Sequence, residues 1–348
     1  MYREHTVAVV VPAYNEEGFV GEVIETVPPF VDRVYVVDDC STDGTWNEIL
    51  AHADQTAEPV PRRERPPLVV DEESPVATRP DGGSVAGTDV VAVRHQENRG
   101  VGGAIVTGYR HAVADGIDVT AVMAGDGQMD PDQLDRLLDP VVDGRAEYAK
   151  GNRLLSREYY DEMSAFRRFG NVTLSILTKI ASGYWAMLDP QNGYTAISRE
   201  ALEATDLDAL YEEYGFSNDL LVALNSKEFP IADVAMPAVY GDERSHIQYR
   251  SFVPKLSWLL WRRFLHRLGV RYVLRDFHPL VGLYGLAALG VAIGAAGLGW
   301  ALGRPGDGSG RTAAVLSAIG LIFGSTVSLL LAMIFDREAN HELVVSDE

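Results

Sequence analysis

Tyr14, Asn15 and Glu16 follow one apolar run, and Asp38 and Asp39 close another. The two segments read VAVVVPAYNEE at 7–17 and VYVVDDCSTDG at 34–44. A run such as Val7–Val11, ended by Pro12, predicts a buried parallel strand, and Gly18–Val27 behind it suits a crossover helix. In an open α/β sheet, ligands bind in the crevice outside the carboxyl ends of the strands. These five polar side chains are therefore expected to meet in one crevice, where the chemistry of the chain should lie. A lone acid at such a place has a blander use, which is to cap its own turn.

Three other motifs carry less. GVGGAIVTG at 100–108 has Ile105 where a dinucleotide fingerprint needs its third glycine, and it follows a later strand rather than the first. DGQMDPD at 126–132 has Pro131 where a calcium loop requires glycine. The eight histidines show no metal-ligand spacing.

Further elements follow from the pattern. The second strand and its helix end near His52, and 53–89 is a proline-rich insertion with Pro59, Pro61, Pro66, Pro67, Pro75 and Pro80. Val90–Arg94 reads as the third strand, Val119–Ala124 as the fourth and Pro131–Val142 as a helix. From Lys150 to Tyr160 the chain is expected to run over the site. An amphipathic helix, Ala165–Gly183, a helix near Asn218–Asn225 and a strand near Ile231–Pro237 complete a domain over 1–250.

The chain has 348 residues, 47% of them hydrophobic, enough for one large α/β domain and an appendage. Leu280–Gly303 and Thr312–Phe335 contain no charged side chain. As helices each would reach about 36 Å, against a bilayer core of about 30 Å, so transmembrane helices are expected at 279–303 and 312–335. The alternative is a pair of buried core helices. Gly290–Gly294 and Gly299–Gly303 have the small-residue spacing that lets two spans approach closely.

Ahead of the spans, 251–278 reads as an interfacial amphipathic helix. It carries Arg262, Arg263, Arg267, Arg271 and Arg275, with Trp258, Trp261 and Tyr272 among them. The loop between the spans holds only Arg304 and Arg311, so the domain and the tail 336–348 are expected on the cytoplasmic side. MYREHT at the start lacks the apolar core of a signal peptide. A chain ended near residue 276 is expected to leave a folded domain. Cys40 is the single cysteine, so no disulfide forms within the chain. The net charge of −20, with four lysines (Lys150, Lys179, Lys227, Lys255) among 30 basic residues, resembles proteins of a salt-adapted organism. That charge argues against nucleic acid as a partner.

PAYNEE and VVDDCSTDGT resemble the first two signatures of family 2 glycosyltransferases, which use the GT-A nucleotide-sugar-binding fold. MAGDGQMDP at 123–131, NRGVGGAIVTGYRHA at 98–112 and DPQNGYTAIS at 189–198 are similar to three further segments of that family, the last to its dolichyl-phosphate mannosyltransferase-like members. The five occur in the expected order over most of 7–250. The resemblance implies an α/β domain with a Rossmann-like, mostly parallel sheet, followed by the two transmembrane helices.

It also implies roles for particular residues. Pro12, Tyr14 and Glu16 match positions around the base and ribose of a nucleoside diphosphate sugar, and Val37 and Asp39 match the pair that meets the base. At 124–128 the family's first metal-binding acid is Ala124, leaving Gly125, Asp126 and Gln128 at the diphosphate and Asp126 with Gln128 as protein ligands of a divalent metal, Mg or Mn. One carboxylate, an amide oxygen, phosphate oxygens and water suffice for such an ion. Arg153 matches the arginine of the family's GxR segment, here GNR at 151–153, as a catalytic residue, and Arg167 and Arg168 match a pair that meets the phosphate of a lipid acceptor, the alternative being that the pair faces anionic lipid. Where dolichyl-phosphate mannosyltransferases carry two basic residues, this chain has Tyr240 and His246; Arg244, with Lys255 as a further candidate, is expected to supply that charge, Arg244 at the nucleotide sugar.

Asp219 lies where many members hold a general base for a sugar hydroxyl. A polyprenyl (dolichyl) phosphate is already anionic and needs none, in which case Asp219 is structural. The leading expectation is an inverting transferase from a nucleotide sugar to polyprenyl phosphate at the membrane. Its rivals are transfer to a glycolipid or polysaccharide hydroxyl, and a catalytically silent membrane scaffold, for which Ala124 is the motive. The donor base and sugar, and whether the chain forms a homo-oligomer, are not fixed by the sequence.

Overall fold

A computed structural model describes residues 1–54, 83–85, 88–153, 165–236, 249–275, 277–303 and 308–346. The first strand, β1 (Val7–Ala13), is buried along its whole length and its side chains alternate between two layers. Val7, Val9 and Val11 pack with helices α1 (Val20–Thr26), α2 (Thr45–Asp54) and, through Leu134, Leu137 and Leu138, α4 (Leu134–Val142). Ala8 and Val10 face the opposite layer, with Ile105, Val106 and Tyr109 of α3 (Gly100–Ala114), Ala201 and Leu202 of α6 (Arg199–Ala204) and Leu220, Leu221 and Leu224 of α7 (Phe216–Ser226). Burial on both faces explains why the first strands read as continuous apolar runs.

The sheet has nine strands in the order β3-β4-β2-β1-β5-β7-β6-β8-β9. They are β2 (Arg33–Asp38), β3 (Gly83–Val85), β4 (Thr88–Arg94), β5 (Val119–Val122), β6 (Tyr148–Asn152), β7 (Thr195–Ser198), β8 (Ile231–Ala235) and β9 (Val344–Ser346). β1 pairs in parallel with β2 on one side and β5 on the other. The chain thus departs from β1 in both directions, and the crevice opens at that switch point. β7 is antiparallel to β5 and β6, and β3 to β4, while every other pair is parallel, so the sheet is mostly parallel, as expected, with antiparallel strands mixed in.

Two expectations change. Lys150 does not begin a segment over the site: it sits within β6, inside the sheet between β7 and β8. Most of the insertion, 55–82 and 86–87, lies outside the described residues, as do 154–164. The chain beyond the apolar helices returns, and β9 adds a strand to β8 in the register Ile231↔Val344 and Asp233↔Ser346.

The apolar stretches form α9 (Leu280–Gly303) and α10 (Gly308–Ala339), both long and apolar enough to cross a membrane. Only 28% and 17% of their most apolar windows are buried, which rules against core helices of a soluble domain. A Cβ at Gly290 would overlap Ser325 Oγ, and one at Gly294 would stand 2.6 Å from Ile322. These two glycines make the close helix contact; Gly299 and Gly303 face open space.

The five arginines ahead of α9 do not act as one basic face. In α8 (Tyr249–Gly269) and the π-turn behind it, Arg263 turns inward to Asp219, and Arg271 reaches Glu228. Arg267 is fully buried and makes two parallel hydrogen bonds, 2.9 and 2.8 Å, to Asp336 at the base of α10. Tyr272 donates to the same carboxylate at 2.9 Å, and Asn340 receives a 2.7 Å bond from Asn225 of α7. The cut near 276, expected to leave a folded domain, would remove Asp336, Asn340 and β9 from it.

Candidate active site

The turns after β1 and β2 are laced together. Asn15 and Cys40, the residues that redirect the chain after each strand, have φ of 57° and 64°. Asn15 Oδ1 accepts from Thr42 N at 2.9 Å, Asn15 N donates to Ser41 Oγ at 3.0 Å and Glu16 N to Thr45 Oγ1 at 2.8 Å. Tyr14 is left half exposed on the crevice side of this lacing, while Pro12 and Val37 are buried beneath it. Asp38 is buried in an ion pair with Arg94 at 3.0 Å.

Asp39 is 2% exposed, and both its oxygens are engaged. Oδ1 accepts from Arg99 N at 2.8 Å and Oδ2 from Gly100 N at 2.7 Å, where the start of α3 offers unpaired N–H groups. His95 Nδ1 lies 2.7 Å from Oδ1, and its Nε2 lies 2.9 Å from Thr107 Oγ1. As it stands, Asp39 braces the wall of the crevice. The glycines of α3 serve packing: a Cβ at Gly100 would stand 2.7 Å from Glu212 O, and one at Gly102 2.7 Å from Tyr211 O.

β5 ends at the third wall. Gly125 N donates to Pro12 O at 3.2 Å, and a Cβ on Gly125 would stand only 3.1 Å from that oxygen. Asp126 follows, partly buried, its Oδ1 accepting from Gln128 N at 3.0 Å across Gly127, whose φ is 71°. Burial pushes the Asp126 carboxyl above the usual aspartate range, against the pull of the Gln128 N–H. Among the described residues no group of three His, Cys, Asp or Glu is arranged to hold a metal ion by itself. Asp126 and Gln128 still fit a hard divalent ion that completes its shell with diphosphate oxygens and water.

Arg153 stands at the end of β6, a third exposed, and forks onto Asp189 with Nε to Oδ2 at 2.9 Å and NH2 to Oδ1 at 3.3 Å. Asp189 has a φ of 42° and opens the DPQNGY loop. Asp233 of β8 clamps that loop from beneath: it accepts from Leu188 N at 2.8 Å, from Asn152 Nδ2 at 2.8 Å and from the buried Lys150 Nζ at 2.9 Å. Sequence reasoning missed Asp233, Lys150 and His95, because each acts through a partner distant in the chain.

Arg167 and Arg168 occupy the first turn of α5 (Ala165–Ser182), and their side chains lie outside the described residues. Further along, Val172, Ile176 and Leu177 are exposed on α5, and Trp258, Trp261 and Leu265 are exposed on α8, which packs against it. Arg244, Tyr240 and His246 lie within 237–248, outside the described residues. Asp219 is fully buried in α7, paired with Arg263 and accepting from Tyr211 N at 2.9 Å. Burial pushes its carboxyl up, opposed by Arg263.

A crevice at the switch point of a mixed α/β sheet, walled by acid-bearing turns, defines a nucleotide-sugar-binding domain of the GT-A type. The model of glycosyl transferase family 2 matches residues 8–65 and 68–205, more than half of the chain, and the protein belongs to that family. It is a nucleotide-sugar-dependent glycosyltransferase. Over 234 residues, 67% of this chain and 85% of the relative, it is 26% identical to the UDP-N-acetylglucosamine–dolichyl-phosphate N-acetylglucosaminyltransferase of Methanococcus voltae. It is 33% identical over 227 residues, 62% of this chain and 75% of the relative, to the undecaprenyl-phosphate mannosyltransferase of Micrococcus luteus. Among solved structures, glucosyl-3-phosphoglycerate synthase of Mycobacterium tuberculosis matches with a TM-score of 0.49 at 21% identity, over 76% of this chain and 81% of that one.

Proposed function

We propose that the protein is a membrane-bound, inverting transferase that moves a sugar from a nucleoside diphosphate sugar to a polyprenyl phosphate at the cytoplasmic face. One observation carries the reading: the apolar hairpin is built into the catalytic sheet. Asp336 at its base is locked to Arg267, and β9 beyond it pairs with β8, two strands from β7. The domain and the tail then share one side of any membrane that the hairpin crosses, with the crevice near the lipid surface. The relatives named above act on dolichyl and undecaprenyl phosphates.

In this reading Pro12, Tyr14, Glu16, Val37 and Asp39 form the base and ribose wall, Asp39 by holding the start of α3. A divalent ion, Mg or Mn, would be held by Asp126 and Gln128 together with the diphosphate, whose negative charge it would neutralise. Arg153, kept in place by Asp189, gives the leaving diphosphate a fixed positive partner. Arg244 contributes to binding the nucleotide sugar, and Arg167 and Arg168 receive the acceptor phosphate. One of its oxygens bonds to the anomeric carbon as the bond from that carbon to the diphosphate breaks, inverting the centre. No general base is required, and Asp219, buried and ion-paired with Arg263, is poorly placed to act as one.

Asp126→Ala tests the donor half. It should lower transfer by about 10²–10³ without altering the fold, and a chelator should do the same to the wild type until Mg²⁺ or Mn²⁺ is restored. A variant that turns over like wild type in excess metal would contradict the assignment.

A further inference from the structure

Asp219 sits far from the turns of β1 and β2 in the chain, yet an unbroken series of contacts joins it to them. Asp39 holds Arg99 N and Gly100 N at the start of α3. Arg99 pairs with Glu212, and Gly103 N donates to Glu212 O at 3.1 Å. Gly100 and Gly102 approach the carbonyls of Glu212 and Tyr211 so closely that neither tolerates a side chain. One residue on, Tyr211 N donates to Asp219 Oδ2 at 2.9 Å. Arg263 of α8 donates to the same oxygen at 2.7 Å, lies against Oδ1 as well and reaches Ala209 O. Lys255, two turns earlier on α8, pairs with Glu213 at 3.1 Å at the surface.

The segment 209–213 is therefore held between the crevice wall and the helix whose outer face exposes Trp258 and Trp261. Asp219 and Arg263 are its buried anchor. A carboxylate with no exposed surface, ion-paired and bonded to a backbone N–H, fixes geometry rather than exchanging protons with substrate.

We infer that Asp219 and Arg263 are a positioning pair: through the 209–213 segment they set the glycine-rich start of α3, and so couple the seating of α8 at the membrane to the shape of the donor crevice. The inference rests on reading that crevice as the donor site, but its primary test does not. When the anchor is loosened, the start of α3 loses its outer support while Asp39 still holds it from within. Donor binding should then weaken more than the chemical step.

Hydrogen exchange on the full chain in lipid nanodiscs measures the coupling, with donor kinetics alongside. Arg263→Gln and Asp219→Asn should each raise exchange of the amides at 99–103 by about tenfold, leaving those of β5 at 119–122 unchanged. The donor KM should rise by about tenfold with kcat within about threefold, and Arg263→Lys should recover part of both effects. If Arg263→Gln does not fold, Glu212→Gln, at a partly exposed position, should raise exchange at 99–103 by itself. Unchanged exchange at 99–103 would overturn the inference, whatever the activity. Loss of kcat in Asp219→Asn at unchanged donor KM and exchange would overturn it in favour of a catalytic base. Raised exchange in a protein whose wild type uses no nucleotide sugar would uphold the coupling and remove the proposed function instead.

Discussion

Arg153 and Asp189 show how a single side chain is prepared for its task. The guanidinium is held as a fork by a carboxylate whose backbone φ is 42°, a conformation that non-glycine residues adopt only when their surroundings require it. Two sides of that fork reach Asp189, which fixes the plane of the charge. If this charge stabilises the leaving diphosphate, Arg153→Ala should lower kcat by about 10²–10³. Asp189→Asn should lower it less, by about tenfold, because the arginine remains but is no longer aimed. Steady-state kinetics with saturating acceptor distinguish the two, and an Arg153→Ala enzyme with normal kcat would remove the residue from the site. GNR at 151–153 makes Arg153 legible from the sequence. Its partner was not, because Asp189 is brought to it by the pairing of β6 with β7 and β8, which no local pattern reveals.

The elements differ in how plainly the sequence announced them. β1 and β2 are buried on both faces and β4 mainly on one, so their apolar runs stand out, and the acid-bearing turns behind them mark where they end. β6 and β7 are short, and Lys150 and Asn152 place polar groups in the middle of the sheet, where Asp233 satisfies them. A buried polar network of that kind hides a strand from any reading by hydropathy. Helix α8 was legible as amphipathic, but not the inward turn of Arg263, Arg267 and Arg271, since a basic helix at a membrane and a helix bound by carboxylates have the same composition. At the mouth of α5, changing Arg167 and Arg168 together to Ala should raise the KM for a polyprenyl phosphate strongly and leave nucleotide binding almost unchanged. Breaking such charged contacts costs about 2–5 kcal/mol, whereas general attraction to anionic lipid is about 1 kcal/mol per basic residue. Parallel titrations of acceptor and nucleotide decide it, and equal losses in both would assign the pair to the donor side.

At the scale of the whole molecule, the apolar hairpin and the catalytic domain are one structure. Arg267 has no exposed surface and depends on Asp336, which the chain supplies only after both apolar helices are made. Removing one partner of a buried pair leaves an uncompensated charge at a cost of about 3–5 kcal/mol. Asp336→Asn should therefore lower the unfolding midpoint of the detergent-solubilised protein, and a chain ended at 276 should fail to fold, which thermal melts and limited proteolysis will show. A truncated domain as protease-resistant as the full chain would mean that β9 and the base of α10 are ornaments. In the proposed function, the return of the tail to the sheet brings the donor crevice and a lipid surface together in one enzyme. That claim is tested most directly by incubating membranes that carry the protein with polyprenyl phosphate and a panel of radiolabelled nucleotide sugars. The account predicts label from one donor in a lipid fraction that mild acid hydrolyses, with none when polyprenol replaces its phosphate. Label transferred instead to a sugar hydroxyl of a glycolipid or polysaccharide, stable to mild acid, would contradict it.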